Sequence, residues 1–283
     1  MAILTDSKCS YVLLRSRFLV LIFLFATTKL AAQQLLTEKE YKLPAKVKKI
    51  TINAQGVWFV ADSKNQIWAF DSLGQQIALY SPERLLTITQ LIAKPGRQVE
   101  IFDKNNQSLT RLDRFLVERQ VSMLADWFPN RYIEAIALAD DNQWWMLDPG
   151  AMELIKVDAE TGEILTKVSL YDIKTDKPLA VNQFWMAGNS LWLISNTELL
   201  QFDRLGNYIQ NYKLPAASRY FSAQNRIFFI GPQDTIGWFS LTRQEVVQVV
   251  FPGASNYQII TGAGNYIYIL NEDKVLPMQM LKP

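Results

Sequence analysis

The chain contains no histidine. That absence removes the commonest general base, the imidazole metal ligands, and every nucleophile that depends on a neighbouring imidazole. There is one cysteine, Cys9, in the N-terminal leader. The remainder of the chain therefore has no thiol, no disulfide and no thiolate zinc site, and a metal would have to be a hard cation held by oxygen. Net charge is scarce as well, with 29 basic against 27 acidic residues. Without a clustered basic excess, nucleic acid is not an expected partner. The pair Lys48-Lys49 is the nearest approach to a basic run, and it reads as a solvated strand end. No nucleophile elbow, phosphate loop, dinucleotide fingerprint or calcium loop is present. Asp140-Asp141, and Asp172 with Asp176, are the close acid groupings, and both sit in turn or loop contexts. No catalytic set is expected.

The N-terminus has Lys8, Arg15 and Arg17, then the apolar run FLVLIFLFA at 18–26, then small residues at Ala31 and Ala32. A basic start, a short apolar core and a small-residue end describe a secretory signal peptide. The run is shorter than the roughly 20 residues that cross a bilayer, so no span is expected after cleavage. The expectation is a leader over 1–32, cut after Ala32, and one domain over 33–283. The chain would be exported to the periplasm, the outer membrane surface or the exterior.

What fills the chain is a repeat. A Gly or Asn precedes an apolar, aromatic-rich stretch at Gly56, Gly96, Asn142, Asn189, Asn225 and Asn265, with steps of 40, 46, 47, 36 and 40 residues. A unit of that length holds about four short strands, and such units in series indicate a β-propeller. A second marker keeps the same phase. An Asp ends the third strand at Asp71, Asp113, Asp158 and Asp203, with Ser240 in that place in the fifth unit. Gly and Asn tolerate a tight turn's positive φ, and Asp closes a turn through its side chain. The last unit lacks a fourth strand, and EKEYKLP at 38–44 supplies one. Closure by that strand leaves no open edge between the first and last blades.

The fold expected is all-β: a six-bladed β-propeller of four-stranded antiparallel blades, closed by an N-terminal strand. The blades span 48–82, 85–122, 131–172, 181–214, 218–252, and 256–281 with 37–44. A five-bladed ring with an irregular second unit is the alternative. The recurring aromatics, Trp58, Trp144, Trp145 and Trp192 among them, read as packing between blades.

Function should lie in what does not repeat. The connectors at 123–131 and 172–180 are the longest and flank the third blade. Trp127 and Phe128 either meet a partner there or plug the gap between blades two and three. Arg131, Glu134, Gln183, Trp185, Arg219 and Gln258 are candidates near the mouth of a central channel. Arg131 and Arg219 would meet an anionic group, or pair with Glu134 or Asp residues as a structural network.

The pattern VWFVAD–NQIWAFDSLGQQ over 57–76 resembles six-bladed propellers of the NHL and TolB-like kind. The leader and DNQWWMLDPGAMELIKVD over 141–158 are similar to exported propeller proteins of Bacteroidetes-type bacteria. The resemblance implies a cell-envelope setting. Two readings follow: a non-enzymatic module, without cofactor, that binds an envelope protein or other surface component, or a calcium-dependent hydrolase or lyase with its site in the channel.

Overall fold

A computed structural model describes residues 35–37, 41–43, 46–94, 96, 98–139, 142–175, 178–217, 219–223, 226–232, 234–250, 259–263, 266–271 and 273–280. All belong to one compact unit, Leu35–Met280. The expected leader over 1–32 lies outside them.

Five sheets are four-stranded meanders, in strand order along the chain. Blade 1 is β3 (Val47–Ile52), β4 (Trp58–Asp62), β5 (Ile67–Phe70) and β6 (Gln76–Tyr80). Blade 2 is β7 (Gln90–Ala93), β8 (Val99–Asp103), β9 (Ser108–Leu112) and β10 (Glu118–Met123), followed by the single turn α1 (Leu124–Trp127). Blade 3 is β11 (Ala135–Leu138), β12 (Gln143–Asp148), β13 (Glu153–Asp158) and β14 (Ile164–Ser169). Blade 4 is β15 (Val181–Ala187), β16 (Ser190–Ser195), β17 (Glu198–Asp203) and β18 (Tyr208–Lys213). Blade 5 is β19 (Arg219–Ala223), β20 (Arg226–Gly231), β21 (Thr235–Ser240) and β22 (Glu245–Val250). Blade 6 joins β23 (Ile259–Ala263), β24 (Tyr266–Asn271) and β25 (Lys274–Met280) to the N-terminal β1 (Leu35–Thr37) and β2 (Tyr41–Lys42). The first strands of the blades touch in a closed circuit, β3 to β7, β11, β15, β19, β23 and back to β3. This is an all-β propeller of six blades, as the two sequence markers require. The closing segment pairs with β25 in two pieces, Leu35 opposite Met280 and Tyr41 opposite Val275.

Burial explains the sequence pattern. The second strands, β4, β8 and β12 among them, are buried along their whole length or nearly so, because a neighbouring blade covers each face. They accordingly read as short unbroken apolar runs. The fourth strands form the rim and alternate, as in β14. Six apolar clusters fill the six wedges between consecutive blades. Trp144 packs toward blade 2 and Trp145 toward blade 4, so the recurring aromatics are scaffold.

The turn markers act as their chemistry dictates. Asp71 accepts backbone hydrogen bonds from Leu73 and Gln75, Asp113 from Phe115 and Val117, and Asp203 from Leu205 and Asn207. Gly56, Gly96 and Asn142 have positive φ as expected. In the corresponding turn of blade 4 the left-handed residue is Gly188, one position before the expected Asn189. Asn225 and Asn265 lie outside the described residues.

Candidate functional site

The first strands all begin at one end of the ring, each beside the end of its blade's second strand. Val47 lies opposite Asp62, Val181 opposite Ser195, and Arg219 opposite Ile230. Around the axis they enclose a space of about 1270 Å³. Its charged lining, Lys46, Lys48, Lys49, Lys104, Glu134 and Arg219, gathers where the strands begin. Farther along the strands the described wall is uncharged and largely apolar, with Ile50, Ile92, Leu138, Trp185 and Phe221 beside Thr51 and Ser222.

The polar residues ending the second strands are buried and bound to their own blades. Asp62 accepts hydrogen bonds from the backbone N–H of Lys64 and Gln66 at 2.8 and 2.9 Å. Asp103 accepts from the Thr87 N–H at 2.7 Å, and Ser195 Oγ from the Ala180 N–H at 2.9 Å. The Asp103 and Ser195 bonds fasten their hairpins to the connector entering the blade, whereas the Asp62 bonds close its own hairpin. These bonds engage the carboxylate oxygens of Asp62 and Asp103 within their own blades.

A bulge between Val47 and Lys49 interrupts the alternation of β3, and both Lys48 and Lys49 line the channel. Both lysines are exposed, but to the channel. The walls crowd Lys49 even where its surface is accessible. That partial burial lowers its pKa from the ordinary lysine value, and Lys48 beside it lowers it further. Among the described residues neither lysine has a carboxylate partner. Between the neighbouring blades 2 and 3, Lys104 Nζ lies 2.9 Å from Glu134 Oε1, and that hydrogen bond raises the Lys104 pKa. The described lining thus presents five cationic side chains and one carboxylate, which is itself ion-paired.

The residues expected from sequence divide into three groups. Glu134, Gln183, Trp185 and Arg219 line the channel. Gln183 donates to the Tyr220 carbonyl and so joins blade 4 to blade 5, as Gln90 joins blade 2 to blade 3 through Ile136. The buried Trp185 Nε1 has no hydrogen-bond partner. Arg131 does not line the channel. It is held by Asp148 at 3.0 Å and Glu153 at 2.8 Å, which makes it a structural tie between connector and hairpin. Its partners are thus carboxylates of its own blade, not Glu134. Trp127 and Phe128 fill the wedge between blades 2 and 3. Phe128 is 5% exposed, and the Trp127 ring lies so close over Gly162 that an added Cβ would sit 2.3 Å from it. Phe128 therefore offers no surface to a partner, and the plugging alternative describes both side chains. Gln258 lies outside the described residues.

Lys46, Lys48, Lys49 and Lys104 were missed as a group. The signal for three of them was KVKK at 46–49, a basic start to the first inner strand.

Exposed apolar residues stand on three consecutive connectors at this same end of the ring. Leu85 is 94% exposed before blade 2, Tyr132 46% before blade 3, and Tyr171 71% after it. At the opposite end the exposed Leu73, Phe115 and Leu205 each follow a turn Asp by two positions and belong to the repeat.

Architecture defines the class: a six-bladed propeller with a cationic channel mouth. Among solved structures the fold is shared with selenomethionine-substituted virginiamycin B lyase from Staphylococcus aureus, at 13% identity and TM-score 0.64, covering 88% of this chain and 100% of that one. A catalytically inactive histidine-to-alanine variant of that organism's virginiamycin B lyase, with quinupristin, gives 18% identity and TM-score 0.59, covering 86% and 84%. BamB from Moraxella catarrhalis gives 12% and 0.50, covering 87% and 98%. At these identities the likeness shows the fold alone. The sequence matches no protein-family model and no curated protein.

Proposed function

We propose that this chain is a binding propeller of the cell envelope. In this reading it is exported through the leader over 1–32, is akin to exported NHL- or TolB-like propellers, and docks a protein or other surface component at the channel-mouth end. The observation that carries the proposal is the row of exposed apolar side chains, Leu85, Tyr132 and Tyr171, on connectors that do not repeat. Exposed large side chains around a polar mouth are the composition of a docking surface. Among the described residues no helix is long and apolar enough to cross a membrane.

The second reading, a calcium-dependent hydrolase or lyase, draws on the likeness to the lyases. Two features weigh against it. The lyase variant that replaces a histidine by alanine is catalytically inactive, and this chain has no histidine with which to perform an equivalent step. Calcium needs several convergent oxygen ligands, whereas the described channel lining presents one carboxylate among five cations.

The test is capture from an envelope extract by the full chain and by a Leu85→Ser/Tyr132→Ser/Tyr171→Ser variant. The expected result is one partner retained by the wild type and lost by the variant. Equal capture by both would defeat the docking reading. Turnover of quinupristin, or a calcium-dependent rise in melting temperature, would favour the second reading.

A further inference from the structure

The channel itself has a chemistry that protein docking does not use. We propose that it binds a small organic anion, an oxyanion head carried on an apolar body, with the head at Lys48 and Lys49 and the body against Trp185 and Phe221. Three observations converge. Two adjacent lysines, Lys48 and Lys49, share one lining. Neither lysine has a carboxylate partner among the described residues, so their mutual repulsion is unrelieved within the fold. The charge is segregated. Every charged residue of the described lining lies where the inner strands begin, and beyond them the described wall is uncharged, with Ile50, Ile92, Leu138, Trp185 and Phe221 beside Thr51 and Ser222. An uncharged apolar ligand would leave the lysines desolvated and unpaired. A compact inorganic anion would leave the apolar wall unused. Ligand pockets generally span about 300–1,000 Å³, so a space of about 1270 Å³ admits such a molecule together with water.

The head is a carboxylate or a phosphate, and the probes separate the two. Calorimetric titrations of the full chain would use decanoate, decyl phosphate, 1-decanol and inorganic phosphate, each below its micellar range. Decanoate or decyl phosphate should bind at least ten-fold more tightly than decanol and inorganic phosphate, and the tighter of the two identifies the head. Lys48→Gln/Lys49→Gln should weaken that binding at least ten-fold. Because both side chains are exposed to the channel, the variant should keep its melting temperature. An independent readout on the unaltered backbone is the Lys49 titration, followed by NMR on the dimethylated protein and assigned by the loss of its signal in Lys49→Arg. Saturating decanoate or decyl phosphate should raise that pKa, because an anion beside an ammonium favours its charged form. Decanol binding as tightly as decanoate, inorganic phosphate binding as tightly as decyl phosphate, or an unmoved Lys49 titration on saturation would each overturn the proposal. It stands apart from the docking reading: anion binding needs no partner, and capture of a partner needs no anion.

Discussion

Ring closure can be measured at one contact, Tyr41 against Gly74. Tyr41 lies on β2, the N-terminal piece of blade 6, and its ring packs edge-on to Trp58 of blade 1 at 5.1 Å and 87°. Gly74, in the last turn of blade 1, has a φ of 76°, and an added Cβ would stand 2.5 Å from two Tyr41 ring atoms. Tyr41→Ala removes an aromatic pair contributing about 1 kcal/mol. It also removes a half-buried ring contributing roughly 1–2 kcal/mol, so the loss should be about 2–3 kcal/mol. Gly74→Ala adds a left-handed residue at about 1–2 kcal/mol and a clash of about 1–3 kcal/mol. In the Tyr41→Ala background the ring is gone, so Gly74→Ala should retain only its backbone cost. The double variant should then be more stable than the sum of single effects predicts, by about 1–3 kcal/mol. Urea unfolding followed by tryptophan fluorescence measures all four corners of the cycle. Additivity within about 0.5 kcal/mol would show that the ring does not cover the turn, and the account of closure would fail.

Three further outcomes follow from other sites. Glu100 is buried and pairs with Lys94 at 3.3 Å and Arg111 at 2.9 Å. Glu100→Ala leaves two cations without that partner and should cost about 3–5 kcal/mol in urea unfolding; a cost below about 1 kcal/mol would refute the pairing. Burial, and then the hydrogen bond from its hydroxyl to Glu118, push the Tyr80 pKa up to about 12 from 10.0. The folded state thus holds a proton that the unfolded state releases, so this contribution is complete below pH 10.0 and is lost as pH rises through about 12. Glu118→Gln should lower the midpoint but leave it above 10.0, because burial remains, as read from phenolate absorbance by difference against Tyr80→Phe. Leu116 has a φ of 61° yet is 3% exposed, where the matching turns in blades 1 and 4 use Gly74 and Gly206. Leu116→Gly relieves about 1–2 kcal/mol of strain but forfeits a core side chain whose truncation costs about 2–5 kcal/mol. The variant should be less stable on thermal unfolding, and a rise in melting temperature would show that strain outweighs packing there.

The blades were legible in sequence because the interactions that mark them are local. Asp71 bonds the backbone two and four residues ahead, and Asp113 and Asp203 repeat that bond in their own blades. Strand order within a blade follows from such hairpins alone. The need for a closing strand was also legible, from the short last unit, although its pairing falls in two pieces at Leu35–Thr37 and Tyr41–Lys42. What occupies the channel mouth was not legible. Lys48, Lys104 and Arg219 lie on three different blades and share one lining only because the ring closes. Lys48 and Lys49 are neighbours in sequence, but only the closed ring makes the strand that carries them part of a channel wall. The same limit applies to Trp127, whose fate as a plug depends on Gly162 in the neighbouring blade leaving room for its ring. Sequence by itself determined the repeat, because turn hydrogen bonds and strand patterning act over a few residues. The tertiary structure decided the charge of the channel and the packing of the connectors, because those depend on which blades the closed ring brings together.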